Sequence, residues 1–361
     1  MARAASSGYR RTRSRTSSSR PMRPATRWAS ADRSTLSRTA HLVESTLLDR
    51  RLLVVTGKGG VGKSTVAAGL ALVASQHGKR VLVVDVDAKG TIADRFEAGS
   101  ISFKPREVLP GISLMAMDTE ASLAEYIRLN LKVPIIGRLG PLARALDFVA
   151  TAAPGVREIL TIGKICWEVR ESMEGRADWD LVIVDAAATG HVVAQLGAAD
   201  AIGDLVAVGP VRGQTEWMSQ LLSDPAVTAL NIVTTPEEMP VEETIDLVGR
   251  ARAELKVPLG VVIVNRVLPE LFTRDDEAMF ETLADGPVLD QLASAVGPGV
   301  PAVMDAARLA VAMRRSRLEH LNRLRDEVDL PTLYLPYLFA RSQGRRETAM
   351  VAHALAGEMG L

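Results

Sequence analysis

Short apolar runs alternate with longer segments of helical spacing over most of the chain. The runs predicted as strands are RLLVVTG, RVLVVDVDA, DLVIVDAAA, DLVAVGP (204–210), ALNIVTTP, LGVVIVNRV and TLYLPYL. Between the first two lies KSTVAAGLALVASQHGK, whose apolar spacing predicts a helix that stops near Gly78. Uninterrupted apolar strands separated by helices indicate a mostly parallel sheet covered by helices on both faces, which is an α/β fold.

Two stretches depart from this alternation. Residues 118–175 predict helices broken near Pro134, Pro141 and Pro154, and residues 303–328 predict one long amphipathic helix. Both stretches could be outer layers of one domain, or they could form an inserted helical subdomain over one edge of the sheet. We therefore expect a main domain over 46–345 with a largely helical subdomain at 118–175, followed by a C-terminal helix or tail at 346–361.

The first 45 residues form a segment rich in arginine and serine without hydrophobic periodicity. Such a segment cannot bury enough apolar surface to offset its ordering entropy, so we predict a disordered tail. It lacks the apolar region of a secretory signal. An over-extended start, with Met22 as an alternative first residue, remains open, as do an organellar transit peptide and a nucleic-acid-binding arm.

Composition narrows the class of protein. Hydrophobic residues make up 47% of the 361 residues and aromatic residues only 4%, so the core should consist mainly of aliphatic side chains. Charge is balanced at 43 basic and 43 acidic residues, so we expect no nucleic-acid partner. The single cysteine, Cys166, excludes an internal disulfide, and its apolar context predicts a core position. No apolar run approaches the roughly 20 residues of a membrane span, and a cytoplasmic location is expected.

A phosphate-binding loop carries the clearest chemistry. The segment GKGGVGKS fits G-x-x-x-x-G-K-[ST] in full, and it lies between a predicted strand and a predicted helix, as the motif requires. Lys63 is expected to reach the β- and γ-phosphates of ATP, and Ser64 to ligate Mg²⁺. The loop residues predicted to bind the nucleotide are Gly57, Gly59, Gly60, Val61, Gly62, Lys63, Ser64 and Thr65.

A second lysine, Lys58, precedes the glycines of this loop. In its own loop its charge would crowd that of Lys63, so it is better used if it points away from its own nucleotide. In a face-to-face dimer it could reach the partner's phosphates and supply positive charge, as an arginine finger does. A solvated surface lysine is the other interpretation, and charge alone leaves both open.

Three motifs resemble one family of ATPases. The loop KGGVGKST resembles the deviant P-loop of the family that contains MinD, ParA and the arsenite-pump ATPase ArsA. The segment DVDAKGTIADRF resembles switch I of the ArsA-like and tail-anchored-protein-targeting ATPases, and it keeps Asp87, Asp94 and Phe96 but lacks their Pro, His and Asn. The segment DAAATGH resembles their switch II. The resemblance covers about residues 50–340 and is greatest to the ArsA-like ATPases of actinobacteria.

The resemblance implies a P-loop NTPase that works as a nucleotide-sandwich dimer, in which Lys58 acts in trans. Asp87, after the second strand, would position or deprotonate the attacking water, and Asp185 would hold Mg²⁺ through a water molecule. The residues that the family's pattern places at switch II are Thr189, Gly190 and His191. Adenine would be bound by Asn265 and Pro336. With Lys63, the predicted catalytic residues are therefore Lys58 and Asp87.

Departures from the family limit what it implies. The family's arsenite site and its zinc-clasped dimer both use several cysteines, and this chain has one, so we expect neither arsenite triggering nor a bound zinc ion. We expect a homodimer, or a heterodimer with a paralogous ATPase, whose cycle serves a transport, targeting or chaperone partner, including a membrane protein. Two alternatives remain open: a small-molecule kinase on the same loop, and a nucleotide-gated binding module in which hydrolysis is a timer. For that module, the apolar client stripe would be Leu123, Tyr126, Ile127, Leu129, Leu131 and Ile135.

Overall fold

The computed structural model describes residues 47–131, 155–205, 210–269, 274–283, 286–339 and 344–361. The predicted tail at 1–45 lies outside these residues, as do the predicted helix breaks near Pro134, Pro141 and Pro154. The domain boundaries proposed from the sequence therefore stay predictions.

One sheet organises the described part of the chain. Its strands are β1 (Leu52–Gly57), β2 (Val81–Asp85), β3 (Arg106–Leu109), β4 (Ile112–Ala116), β5 (Leu181–Ala188), β6 (Thr228–Thr234), β7 (Leu259–Val267) and β8 (Thr332–Pro336). Their order is β3-β4-β2-β5-β1-β6-β7-β8, and every pair is parallel except β3 with β4. Strands β1, β2 and β6 are buried along their whole length. The predicted mostly parallel α/β fold is confirmed.

Helices connect the strands. After a short 3₁₀ turn at Leu47–Asp49, they are α1 (Lys63–Gln76), α2 (Thr91–Arg95), α3 (Thr119–Leu131), α4 (Val156–Met173), α5 (Thr189–Leu205), α6 (Pro210–Ser223), α7 (Glu238–Glu254), α8 (Arg274–Leu283), α9 (Gly286–Val296), α10 (Val300–Glu327) and α11 (Arg345–Glu358). The predicted helix near 303–328 is confirmed as α10. Helices α3 and α4 lie in the stretch predicted to be helical.

The helices pack on both faces of the sheet. Leu53 and Val55 of β1 belong to an apolar cluster that also contains residues of α1 and α11. Because side chains alternate along a strand, Leu52 and Val54 face the opposite side, where α5 and α7 contact β1. The fully buried central strands thus fix the position of any loop that follows them.

Helix α11 packs tightly against α1. A Cβ atom on Gly69 of α1 would lie 2.8 Å from Cγ1 of Val351 and 3.0 Å from Cδ1 of Leu355. Only glycine allows this approach of the two helices without a shift. The C-terminal helix is therefore part of the packing around α1, the helix that begins at the P-loop.

The strands differ from the sequence predictions in two places. The run at 204–210 was predicted as a strand, but its described ends are helical: Asp204 and Leu205 end α5 and Pro210 begins α6, while 206–209 lie outside the described residues. Short apolar runs of this kind cannot be distinguished from helix by periodicity alone. The edge strand β3 and its neighbour β4 were not predicted. Strand β3 is short and exposed at its first two residues, so it gives no apolar pattern, and β4 is a buried run of only five residues.

Cys166 of α4 is completely buried, which confirms its predicted core position. Burial also raises the pKa of its thiol far above the ordinary range. The thiolate that reactive cysteines use is therefore disfavoured at this position.

Candidate functional site

The P-loop joins the end of β1 to the start of α1. Gly57, Gly60 and Gly62 have φ values of 149°, 87° and 101°, which L side chains rarely adopt. A Cβ atom on Gly57 would lie 2.0 Å from the carbonyl oxygen of Val233. A Cβ atom on Gly59 or Gly60 would meet no protein atom within 4 Å. The loop thus packs closely at its base and is open at its tip, where phosphates would be held.

The start of α1 offers free N–H groups to an anion. Gly62 occupies the N-cap and has no side chain, so the N-cap residue itself does not occupy the N–H groups of the first turn. Lys63, Ser64 and Thr65 form this first turn. Burial lowers the pKa of Lys63, and the charges of Asp185 and Asp87 partly oppose that shift. The predicted phosphate-binding lysine therefore lies on the side of the loop that faces two acidic residues.

Asp85 ends β2 and is paired in register with Asp185, which lies within β5 three residues before its end. Asp185 is 6% exposed, and its Oδ1 atom is buried without a hydrogen-bond partner. Burial raises the pKa of Asp185 to about 7, although a hydrogen bond with Ser64 and the charge of Lys63 lower it. A buried carboxylate oxygen without a partner, beside the hydroxyl of Ser64, fits a nearby cation.

This donor set suits a Mg²⁺ ion that is shared with a nucleotide, and it does not form a metal site made of protein ligands alone. In the part of the chain that the structure describes, no cluster of three or more His, Cys, Asp or Glu side chains could hold a metal ion. Mg²⁺ at nucleotide sites takes one or two protein oxygens, and phosphates and water complete its octahedron. Ser64 and Asp185 would supply the protein part of such a shell.

Asp85 was not predicted as a site residue, although it is the first residue of the segment that resembles switch I. The carboxylate of Asp85 accepts hydrogen bonds from the backbone N–H groups of Ala88 at 2.9 Å and Gly90 at 3.3 Å. These bonds bend the chain after β2, where Ala88 has a φ of 50°. Asp87 itself is partly exposed and accepts a hydrogen bond from Nζ of Lys89 at 3.0 Å. The acid at the end of the strand run was the signal that could have identified Asp85.

The predicted switch II residues form the first turn of α5. Thr189 is half-buried, whereas Gly190 and His191 are exposed. The hydroxyl of Thr189 donates a hydrogen bond at 3.1 Å to Oε2 of Glu243 on α7. Glu243 was not singled out from the sequence, because it is one of five acids between 237 and 246 and no spacing distinguishes it. The predicted switch II is thus connected to α7 by this hydrogen bond.

Lys58 points away from Lys63, toward α7. Its ammonium group forms an ion pair with Oε1 of Glu243, while its carbonyl oxygen accepts a hydrogen bond from Nζ of Lys63 at 3.4 Å. The two lysines of the loop therefore serve opposite sides: Lys63 lies toward Asp185, and Lys58 lies toward Glu243.

Asn265, a predicted adenine-binding residue, has its side chain engaged within the protein. Its Nδ2 atom donates at 2.8 Å to the carbonyl oxygen of Val61 in the P-loop, and its Oδ1 atom accepts from the N–H of Arg266 at 2.9 Å. Pro336 ends β8 in register with Val267 of the neighbouring β7. The structure thus brings Asn265 against the P-loop, and its adenine contact stays a prediction, as does that of Pro336.

Helices α3, α4, α5 and α6 surround a cavity of about 350 Å³. The lining is mostly apolar and includes Tyr126, Ile159, Trp167, Trp217 and Met218. Leu123 and Tyr126 of the predicted client stripe line it too, while Ile135 lies outside the described residues. None of the helices in the described ranges combines the length and the hydropathy needed to cross a bilayer.

Comparisons with known proteins agree on one family. A family model described as an anion-transporting ATPase matches residues 50–208 and 205–284. The ATPase BagA of Mycobacterium tuberculosis is 36% identical over 225 residues, which are 61% of this chain and 66% of that relative. The ATPase ARSA2 of Chlamydomonas reinhardtii is 25% identical over 312 residues, covering 81% and 80% of the two chains. The arsenical pump-driving ATPase of Acidiphilium multivorum is 26% identical over 243 residues, covering 62% and 40%. The chain thus spans just under two thirds of the mycobacterial relative's length.

Proposed function

The chain belongs to the anion-transporting ATPase family, and from that membership we propose that it is a cytoplasmic, Mg²⁺-dependent ATPase. One observation carries the proposal: the P-loop lysine, Ser64 and the partnerless oxygen of Asp185 meet at the uncapped start of α1. This arrangement places the ammonium group of Lys63, backbone N–H donors and the carboxylate of Asp185 around the position where phosphates would lie.

The proposed chemistry rests mainly on positioning and on charge. The N–H groups of the loop and the ammonium group of Lys63 would hold the β- and γ-phosphates. Bound Mg²⁺, held by Ser64 and by Asp185 through water, would neutralise the charge that develops on these oxygens. Asp87 would orient the attacking water and accept its proton, so that ATP and water give ADP and phosphate.

We further propose that two subunits close around two nucleotides. The partner is a second copy of this chain or a paralogous ATPase. Each Lys58 would then reach the phosphates of the opposite subunit, as the family resemblance implies. The hydrolytic cycle would open and close the dimer for a transport, targeting or chaperone partner.

A variant of the P-loop lysine tests the proposed activity. Lys63→Ala should abolish ATP turnover, because it removes the charge nearest the bridge between the β- and γ-phosphates. Lys104→Ala, at an exposed position before β3, is the matched control and should turn over ATP at the wild-type rate. The measurement is phosphate release at saturating MgATP. Wild-type turnover by Lys63→Ala would refute the assignment of the P-loop.

The cavity between α3, α4, α5 and α6 favours a second candidate function, a nucleotide-gated binding module. Its apolar lining suits an apolar ligand or client segment, and a kinase would instead need a polar acceptor pocket beside the terminal phosphate. In the module, hydrolysis would time the release of the ligand. Binding of an apolar fluorescent dye that changes with MgATP would support the module, and binding indifferent to MgATP would count against it.

A further inference from the structure

Glu243 connects two segments that the proposed cycle must move. One carboxylate oxygen pairs with the ammonium group of Lys58 in the P-loop, and the other accepts the hydroxyl hydrogen bond of Thr189 in switch II. The three residues come from separate parts of the chain, and the carboxylate of Glu243 on α7 joins the other two. Neither contact belongs to the chemistry described so far.

The contact places Lys58 where it cannot serve a partner subunit. A lysine has one ammonium group, and here it lies against a carboxylate of its own chain that neutralises its charge. The Lys58 and Glu243 side chains are 27% and 35% exposed, so a competing anion can approach the pair from solvent. A phosphate of the opposite nucleotide carries more negative charge than one carboxylate and could replace it.

Helix α7 does not need Glu243 for its own packing. It is anchored by Val241, Thr244 and Leu247, which are at most 1% exposed, and the hydroxyl of Thr244 bonds to the carbonyl oxygen of Pro240 at 2.8 Å. Glu243 projects from this fixed helix toward two segments that are less deeply packed. Such an arrangement suits a positioning residue rather than a structural one.

We propose that Glu243 is a positioning residue that holds Lys58 and Thr189 in the open form of the protein. The inference rests on the proposed function, because it concerns the same ATP cycle. Closing of the dimer breaks the Lys58–Glu243 pair, transfers Lys58 to the partner's nucleotide and frees switch II. Glu243 thereby sets the MgATP concentration at which the dimer closes.

The size of the effect follows from the exposure of the pair. Exposed ion pairs contribute 0.2–1 kcal/mol in double-mutant cycles, which corresponds to about a 1.4- to 5-fold change in an equilibrium constant. Glu243→Gln removes the ion pair and should lower the MgATP concentration for half-maximal dimerisation by about 1.4- to 5-fold. Raising the salt concentration to about 1 M should shrink this difference, because salt screens exposed charges. A merely structural role for Glu243 would not respond to salt in this way.

Glu242 provides a matched control one position away. It lies on the same helix, and its carboxylate pairs with Arg323 on α10 at 3.0 Å instead of with the P-loop. Glu242→Gln removes the same charge but should leave the dimerisation midpoint unchanged. Sedimentation of both variants over a range of MgATP concentrations makes the comparison.

Hydrogen exchange of the nucleotide-free protein tests the contact without reference to activity. Glu243→Ala removes both contacts and should speed amide exchange in the turn around Thr189, whereas Glu242→Gln should not. Unchanged exchange there, or a wild-type or higher midpoint for Glu243→Gln, would overturn the proposal. If the wild-type protein neither hydrolyses ATP nor dimerises with it, the proposed function fails. The exchange result then still decides whether Glu243 holds switch II.

Discussion

The two sides of the P-loop differ in how completely their polar groups are satisfied. On the side of β2 and β5, Asp185 is buried with one oxygen lacking a partner, and Lys63 is half-buried near it. On the side of β7, both ends of the Asn265 amide are bonded to the backbone. Buried groups without partners are costly and point to a ligand that completes them, whereas satisfied groups point to a scaffold. We therefore expect the chemistry on the side of Asp185, the acidic side, and structural support of the loop on the side of Asn265, the amide side.

The largest expected effect would come from the acidic side. Asp87→Asn should bind MgATP as the wild type does but lower turnover about 10²- to 10⁴-fold, because the amide cannot accept a proton from the attacking water. Titration calorimetry and phosphate release measure the two quantities. Asp178→Asn, at an exposed carboxylate on the opposite end of the sheet, should change neither. If Asp87→Asn instead loses MgATP binding but turns over each bound ATP at the normal rate, Asp87 has a structural role. The acidic side would then lack its proposed catalytic base.

A second prediction concerns the dependence of stability on pH. The pKa of Asp185 is raised to about 7 by burial, against an ordinary value of 3.8, so the folded protein holds a proton there that the unfolded chain releases. Stability from this group is present below pH 3.8, is lost as the pH rises from 3.8 toward 7, and changes little above. The loss should be a few kcal/mol at most.

Thermal unfolding of the nucleotide-free protein without Mg²⁺ measures this slope. The stability of the Asp185→Asn variant should fall less steeply between pH 4 and 7 than that of the wild type. The slope that remains comes from Asp85, because burial also raises the pKa of Asp85. Asp180→Asn is the control of opposite sign, because Arg80 lowers the pKa of Asp180 and its contribution is lost only in more acidic solution. An equal slope in wild type and Asp185→Asn would show that Asp185 is not the unsatisfied group.

The sequence predicted the acidic side better than the amide side. The motif from Gly57 to Ser64 begins at the end of β1, and Asp185 directly follows the apolar run of β5, so the sheet places them together. The motif has glycines at the positions where the loop backbone needs a positive φ, and Gly57, Gly60 and Gly62 have such φ values in the structure. Local rules of this kind can be applied to a sequence before any tertiary contact is known.

Contacts between distant segments could not be predicted in this way. Glu243 meets Lys58 only because β1 and β6 are neighbours, and nothing in the run of acids around it indicates that contact. Asn265 was expected to bind adenine, and its bond to Val61 depends on how closely β7 approaches the loop. The run at 204–210 was predicted as a strand although its described ends are helical, because periodicity alone does not distinguish a short apolar strand from a helix.

The smallest expected effect would come from the amide side, and it compares two buried asparagines. Asn265→Ala leaves the carbonyl oxygen of Val61 and the N–H of Arg266 without their partner, which should cost about 1–3 kcal/mol of stability. Asn231 of β6 is a matched control, because its amide also bridges the backbone, from Ala229 to Val261, but does not touch the P-loop. Thermal unfolding should show similar losses for both variants.

Nucleotide binding then separates support of the loop from contact with the base. If Asn265 only holds Val61 in place, Asn265→Ala should weaken the binding of MgATP and of MgGTP by the same factor. Asn231→Ala should then weaken the binding of neither nucleotide. If Asn265 instead binds adenine, the preference for ATP over GTP should fall, because the carboxamide would have matched the donor and acceptor on the edge of adenine. Unchanged affinity for both nucleotides would show that the satisfied side of the P-loop has no part in binding. The division between the two sides would then be sharper than the structure implies.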